Sequence, residues 1–64
     1  MKNKLIEYDP SVVYSVTQLA TYWQVPEETI REMIRRRDLQ AFKVGREWRV
    51  TDKAVREYEE GVTA

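Results

Sequence analysis

The segment VPEETIREMIRRR, residues 25–37, decides the fold because it combines an amphipathic helical pattern with an ordered run of charges. Pro26 suits the first turn of a helix, since the amide proton that proline lacks would have no intrahelical partner there. Two glutamates follow at the positive end of the helix dipole, and three arginines close the segment at the negative end. Ile30, Met33 and Ile34 fall on one face. The segment therefore predicts a short surface helix that begins at Pro26 or just after it.

A second helical pattern lies just upstream of this segment. Ser15 and Gln18 fit a capping box, in which the serine hydroxyl accepts from the Gln18 amide and the glutamine side chain reaches back. Because Pro26 disfavours the helical conformation at Val25, this helix should end around Gln24. Its apolar residues have the spacing of one helix face, and they are Val16, Leu19, Ala20 and Trp23.

Downstream, the pattern changes from a helical period to alternation around Gly45, which predicts a β-hairpin. The apolar residues of this pattern are Phe42, Val44, Trp48 and Val50. A two-residue turn, Gly45-Arg46, would divide them between two faces. A three-residue loop, 45–47, would place all four on one face, with Lys43 and Arg49 on the other face and Arg46 at the tip. Because burial of one face fixes strand register, the sequence favours the longer loop.

A third helix should follow the hairpin. Thr51 or Asp52 is a suitable N-cap, and the helix should end before Gly61. Its inward-facing residues should be Ala54, Val55 and Tyr58. Residues 1–13 should form an arm with a turn at Asp9-Pro10-Ser11. The expected organisation is an arm at 1–13, a folded domain at 14–60 and a tail at 61–64.

Composition narrows the functional classes. Sixty-four residues are enough for one small domain. The chain has no cysteine and no histidine, so we expect no metal site, no cofactor and no enzymatic activity. No apolar run reaches the roughly 20 residues of a membrane span. The first ten residues lack a secretory apolar region, so we expect a cytoplasmic protein.

The formal net charge of zero hides a segregation of charge along the chain. From Arg31 to Arg49 the chain carries seven basic and three acidic residues, a net charge of +4, and the remainder carries −4. A neutral protein with a basic middle can present a positive face to a polyanion. Two short helices joined by a tight turn and followed by a basic hairpin form the layout of a winged helix-turn-helix. The predicted fold class is therefore mostly α, with three short helices and a two-stranded wing.

Residues 14–58 resemble the excisionase-type branch of the MerR-like winged-helix superfamily. The resemblance is carried by Val25, Thr29, Ile30 and Arg31, and by the wing AFKVGREWRV, residues 41–50. It implies that the second helix enters the major groove of double-stranded DNA, while the wing lies on the backbone or in the adjacent minor groove. Small members of this branch act as recombination directionality factors for phages or other mobile elements. They bend DNA beside an attachment site and help a tyrosine-type integrase to excise the element, whereas other relatives are transcription regulators.

The chain departs from this family pattern at two turns. Gln24 stands where the family usually has glycine between the helices, and Arg36-Arg37 stands where it often has Glu-Gly. A non-glycine residue in the left-handed conformation costs roughly 1–2 kcal/mol. We therefore expect a distorted or slightly strained turn at Gln24.

The candidate DNA-contacting residues come from the first helix, the second helix and the wing. They are Ser15, Thr17, Glu28, Thr29, Arg31, Glu32, Arg35, Arg36, Lys43, Arg46 and Arg49. Arg31 and Arg35 could bind guanine or phosphate, or pair with neighbouring glutamates. Glu28 could accept from cytosine N4 or repel non-cognate contacts, although the helix dipole explains it equally well.

Other candidates carry similar alternatives. Thr29 could bond a phosphate or pack sideways, and Arg46 is the best candidate for insertion into the minor groove. Ser15 and Thr17 could contact phosphate, although capping alone explains Ser15. Trp23 and Trp48 could stack on bases, but a core this small needs the buried area of both indoles.

Three functional hypotheses remain open from the sequence. The preferred one is a nucleoid-associated excisionase that binds DNA in adjacent copies, with the acidic end of one copy (Glu57, Glu59 and Glu60) facing the basic middle of the next. The second is a winged-helix transcription regulator. The third is a protein-interaction adaptor that does not bind DNA, which Glu28 and Glu32 favour.

Overall fold

The computed structural model describes residues 12–63, which form three helices and a small antiparallel sheet. The elements are β1 (Val13–Ser15), α1 (Val16–Trp23), α2 (Glu27–Arg35), β2 (Phe42–Val44), β3 (Glu47–Thr51) and α3 (Asp52–Thr63). This arrangement confirms the predicted winged helix-turn-helix. No helix within residues 12–63 is long and apolar enough to cross a membrane. The predicted turn at Asp9-Pro10-Ser11 lies outside the described residues.

The first helix and the turn after it form as predicted. The Ser15 hydroxyl accepts from the Gln18 amide at 3.0 Å, and the Gln18 side chain accepts from the Ser15 amide at 2.9 Å. Gln24 then adopts the left-handed conformation, with φ of 59°. The Val25 amide donates to the Ala20 carbonyl at 2.9 Å and closes the turn. The tight turn is therefore made without glycine, at a cost of roughly 1–2 kcal/mol.

The second helix is shorter than the sequence pattern indicated. It begins at Glu27, but it ends at Arg35, so only one of the three arginines lies within its last turn. Arg37 is left-handed, with φ of 67°, and it turns the chain back toward the core. Leu39 follows and is almost fully buried.

The sheet has three strands in the order β1-β3-β2, all antiparallel. Strand β1 was not predicted, because three residues are too short to show a period. It pairs with β3 so that Tyr14 lies opposite Val50. Within the described residues, helices and strands run from Val13 to Thr63.

The predicted register of the hairpin is wrong. Lys43 lies opposite Trp48 and Val44 lies opposite Glu47, so the turn is the two-residue Gly45-Arg46. Gly45 has φ of 64°, as the first central residue of a type II′ turn requires. The longer loop was favoured because it buried all four apolar residues on one face.

The core explains why that burial is unnecessary. Leu39 is 1% exposed, so it supplies apolar volume that the prediction assigned to the hairpin. Trp48 and Val50 still face inward. Phe42 and Val44 instead lie on the outward face of the wing, 43% and 55% exposed.

The third helix packs under this sheet. Thr51 caps it, since its hydroxyl accepts from the Ala54 amide at 3.1 Å. The predicted inward residues Ala54 and Val55 are buried and Tyr58 packs beside them. The helix continues through Gly61, so the predicted end before this residue is wrong. Glycine in an exposed helix costs only about 0.5–1 kcal/mol relative to alanine, too little to end the helix.

Candidate nucleic-acid interface

The amino end of α1 lies against the amino end of α2. The Thr17 hydroxyl donates to Glu27 Oε2 at 2.9 Å, and Glu27 Oε1 accepts from Arg31 Nη2 at 3.1 Å. The Ser15 hydroxyl caps α1. Both predicted phosphate ligands on α1 therefore stand near Arg31, but their hydroxyls already have partners within the protein.

The exposed face of α2 carries a continuous network of ion pairs. Glu28 bridges two arginines, with Oε1 3.6 Å from Arg31 Nη1 and Oε2 2.7 Å from Arg35 Nη2. Arg35 Nη2 also donates to Glu32 Oε1 at 2.6 Å. The hydrogen bond from Arg35 holds the pKa of the Glu28 carboxyl below its ordinary value, and the bonds to Glu28 and Glu32 raise the pKa of Arg35. The arginines of α2 are thus held by its own glutamates.

Arg31 and Arg35 thus both pair with neighbouring glutamates, one of the two alternatives that the sequence left open. Arg31 also pairs with Glu27, four residues earlier, at 3.1 Å. Glu32 has the same spacing from Arg36, but it pairs with Arg35. Arg36, just beyond the helix, instead lies 3.6 Å from an Asp38 oxygen.

A small cleft of about 140 Å³ joins α1, α2 and the tip of the wing. It brings Arg31 and Arg46 together, although they come from elements that are distant in sequence. Two acidic residues also line it, so its charge is balanced. The lining residues are Ser15, Val16, Thr17, Glu27, Arg31, Arg46, Glu47 and Trp48.

Trp48 also lines a second cleft, of about 550 Å³, between the end of α2 and the base of the wing. Arg37 lies on this cleft, and the Lys43 ammonium stands 5.0 Å from the centroid of the Trp48 ring. Four basic side chains therefore lie around Trp48, and together we call them the α2–wing surface: Arg31, Arg37, Lys43 and Arg46. Arg37 was missed among the predicted contacts, although the run of three arginines was a signal for it.

The basic residues of this surface differ in their partners. Within residues 12–63, Arg37, Lys43 and Arg46 form no ion pair, whereas Arg31 contacts two carboxylates. A phosphate could bind the first three without displacing a carboxylate. Positive charge is therefore more available to a phosphate on the wing and on the turn after α2, which contains Arg37, than on α2 itself.

Two predicted contact residues lie elsewhere. Arg49 is on the outward face of the wing, where it donates to the Trp48 carbonyl at 3.0 Å and lies 3.6 Å from Glu47 Oε1. The prediction that Lys43 and Arg49 share a face is wrong, because the two-residue turn shifts the register. Thr29 lies on the opposite flank of α2 from the wing, in an apolar cleft against α3.

Both tryptophans pack against the core as predicted. Trp23 and Trp48 are half-buried beside the buried cluster. The Trp23 indole also donates to Glu59 Oε2 at 2.9 Å, and its ring lies 5.3 Å from that of Tyr58. Trp23 thereby ties α1 to α3.

Comparison with known proteins identifies a family for the chain. A family model described as a helix-turn-helix domain matches residues 13–62. Neither curated proteins nor solved structures gave any match to the chain. The matched range covers the helix pair, the wing and most of α3, and it supports DNA as the partner of this fold.

Proposed function

The chain belongs to the helix-turn-helix domain family, and on that premise we propose that it is a small sequence-selective DNA-binding protein of the excisionase type. The observation that carries the proposal is the α2–wing surface, where Arg31, Arg37, Lys43 and Arg46 meet around Trp48. A short helix with basic side chains can enter a groove of DNA, and basic side chains on the adjacent hairpin can bind the backbone beside that groove. The family includes excisionase-type DNA-binding proteins.

The proposed mechanism assigns different tasks to the helix and to the wing. α2 has nine residues and is about 13 Å long, which suits the major groove. Its exposed face would present Glu28, Arg31 and Arg35 to base edges. Arg46 at the hairpin tip would enter the minor groove or bind its backbone, while Arg37 and Lys43 would bind phosphates.

Binding in adjacent copies is part of this proposal. A domain of this size contacts few phosphates, and its affinity alone would be weak at physiological salt. The acidic residues of α3, Glu57, Glu59 and Glu60, would face the α2–wing surface of the next copy. A row of such contacts would bend the DNA and prepare an attachment site for a tyrosine-type integrase.

Selection of bound duplexes from a random pool, followed by footprinting of the full chain on DNA around its own coding region, tests this function. An excisionase predicts several direct repeats beside an attachment site. It also predicts bent DNA, so the gel mobility of the complex should depend on the position of the repeats along the fragment, and it should be lowest when they lie in the middle. A single unbent site in a promoter would support the transcription regulator instead. Failure to select any duplex would overturn the DNA-binding proposal.

One observation favours the adaptor as a second candidate. The segment 27–35 carries three glutamates and two arginines, so α2 has a net charge of −1. A salt titration separates the two functions. About three to four phosphate contacts predict a log–log slope of roughly −3 to −4 for DNA affinity, whereas an adaptor predicts no measurable duplex binding.

A further inference from the structure

Both arginines of α2 form ion pairs with glutamates of the same helix. Arg35 reaches back along the exposed helix face to Glu28, which precedes it by seven residues, and Nη2 contacts both Glu28 and Glu32. Glu28 divides its two oxygens between Arg35 and Arg31. Each arginine on the face that would read bases thus contacts two carboxylates in the protein without DNA.

This arrangement has an electrostatic consequence on duplex DNA. A phosphate that draws Arg35 away breaks contacts with Glu28 and Glu32 and leaves both carboxylates beside the polyanion. Arg37, Lys43 and Arg46 have no such carboxylate partners within the described residues. Contact with DNA of any sequence should therefore begin through the wing and the turn after α2, while the α2 arginines remain paired with their glutamates.

Resting on the proposed DNA-binding function, we propose that Glu28 and Glu32 are specificity-determining residues, which keep Arg31 and Arg35 from phosphates on unrelated DNA and release them at sites containing G·C pairs. At a cytosine, the N4 amino group would donate to Glu28 and take the place of the guanidinium. Arg35 would then be available to bind guanine O6 and N7 in two parallel hydrogen bonds. Both charged groups have partners on such a site, whereas an A·T pair offers Arg35 no base with the two adjacent acceptors that guanine provides.

The test measures affinity for two duplexes in the full chain: one of random sequence and one recovered by selection from a random pool with the unmodified protein. Glu28→Gln and Glu32→Gln should each raise affinity for the random duplex by roughly 1.5- to 5-fold, the range for one exposed ion pair. The salt slope should become steeper by about 1, because one more arginine reaches phosphate. Affinity of Glu28→Gln for the selected duplex should fall by roughly 5- to 150-fold, as expected for a lost base contact.

Tyr22→Lys is the matched control for the change in net charge, because it adds one positive charge, as each Glu→Gln substitution does. Tyr22 is an exposed residue of α1, and it lies in a cleft with Arg56 of α3 that none of the α2 arginines lines. A general charge effect would appear equally in this variant. Thermal unfolding of all three variants checks that the exposed substitutions leave the fold intact.

A double-mutant cycle asks whether Glu32 acts through Arg35. In an Arg35→Gln background, Glu32→Gln should no longer raise affinity for the random duplex or steepen the salt slope. If the gain persists in that background, Glu32 repels DNA directly and the positioning role is wrong. If Glu28→Gln and Glu32→Gln behave like Tyr22→Lys on both duplexes, the inference is overturned while DNA binding stands. If the unmodified protein binds no duplex, both proposals fail together.

Discussion

The Lys43 ammonium lies 5.0 Å from the centroid of the Trp48 ring, directly across the β2–β3 ladder. This relationship follows from the two-residue turn at Gly45-Arg46, since any one-residue shift would move Lys43 to the other face. The turn thereby keeps Lys43 beside Trp48 and leaves Arg49 on the outward face. The position of positive charge relative to α2 thus depends on the backbone conformation of one glycine.

Replacement of the two glycines by alanine should have opposite effects. Gly45 has φ of 64° and open space around it, so Gly45→Ala should destabilise the protein by roughly 1–2 kcal/mol through backbone strain alone. Gly61 lies within α3, also in open space, so Gly61→Ala should stabilise by about 0.5–1 kcal/mol. Urea unfolding measures both. A change in the free energy of unfolding that has the same sign in both variants would contradict the two-residue turn.

The turn between α1 and α2 offers a stabilising substitution. Gln24 has φ of 59°, so Gln24→Gly should relieve strain and raise the free energy of unfolding by roughly 0.5–1 kcal/mol. Gln40→Gly is the control, because Gln40 is exposed and does not have a positive φ. Glycine there should only increase the entropy of the unfolded chain and lower stability. Chemical denaturation that finds Gln24→Gly less stable than the parent would count against the strained turn.

Stability at alkaline pH should depend on Tyr14. Partial burial, followed by its hydrogen bond to Asp52 at 3.1 Å, raises the pKa of Tyr14 above 10.0. A raised folded-state pKa gives stability that is complete below pH 10 and is lost as pH rises through the raised value. Tyr14→Phe should therefore lower stability at neutral pH by about 1–2 kcal/mol, but should flatten its decline above pH 10.

The exposed Tyr22 supplies the control for this experiment. It is 64% exposed, so Tyr22→Phe should leave both the neutral stability and the alkaline decline nearly unchanged. Thermal unfolding between pH 7 and pH 11 gives both quantities. The same alkaline decline in Tyr14→Phe as in the parent would show that the Tyr14 hydroxyl contributes nothing to it.

Sequence patterns predicted the features that local chemistry controls. The capping box at Ser15 and Gln18, the apolar stripe of α1 and the end of this helix before Pro26 each depend on residues within a few positions of one another. Periodicity is strong over two helical turns, and a capping pair has a fixed spacing. These features could therefore be found without knowledge of the remainder of the chain.

The register of the wing could not be predicted in this way, because it depends on distant contacts. The alternation of Phe42 and Val44 indicated burial, but Leu39 occupies the core instead, after the left-handed turn at Arg37. Pairing of the three-residue β1 with β3 is likewise non-local. The register error placed Arg49 on the same face as Lys43, whereas the two residues lie on opposite faces of the wing.

A comparison of Arg46→Gln with Arg49→Gln tests the α2–wing surface most directly. Both variants remove one positive charge from the same hairpin, but Arg46 lies in the cleft with Arg31, whereas Arg49 lies on the outward face. The measurement is fluorescence anisotropy of a labelled random-sequence duplex from 50 to 200 mM salt. Arg46→Gln should weaken binding and reduce the log–log slope by about 1, while Arg49→Gln should leave the slope unchanged. A reduced slope in Arg49→Gln together with an unchanged slope in Arg46→Gln would contradict the assignment of this surface to DNA.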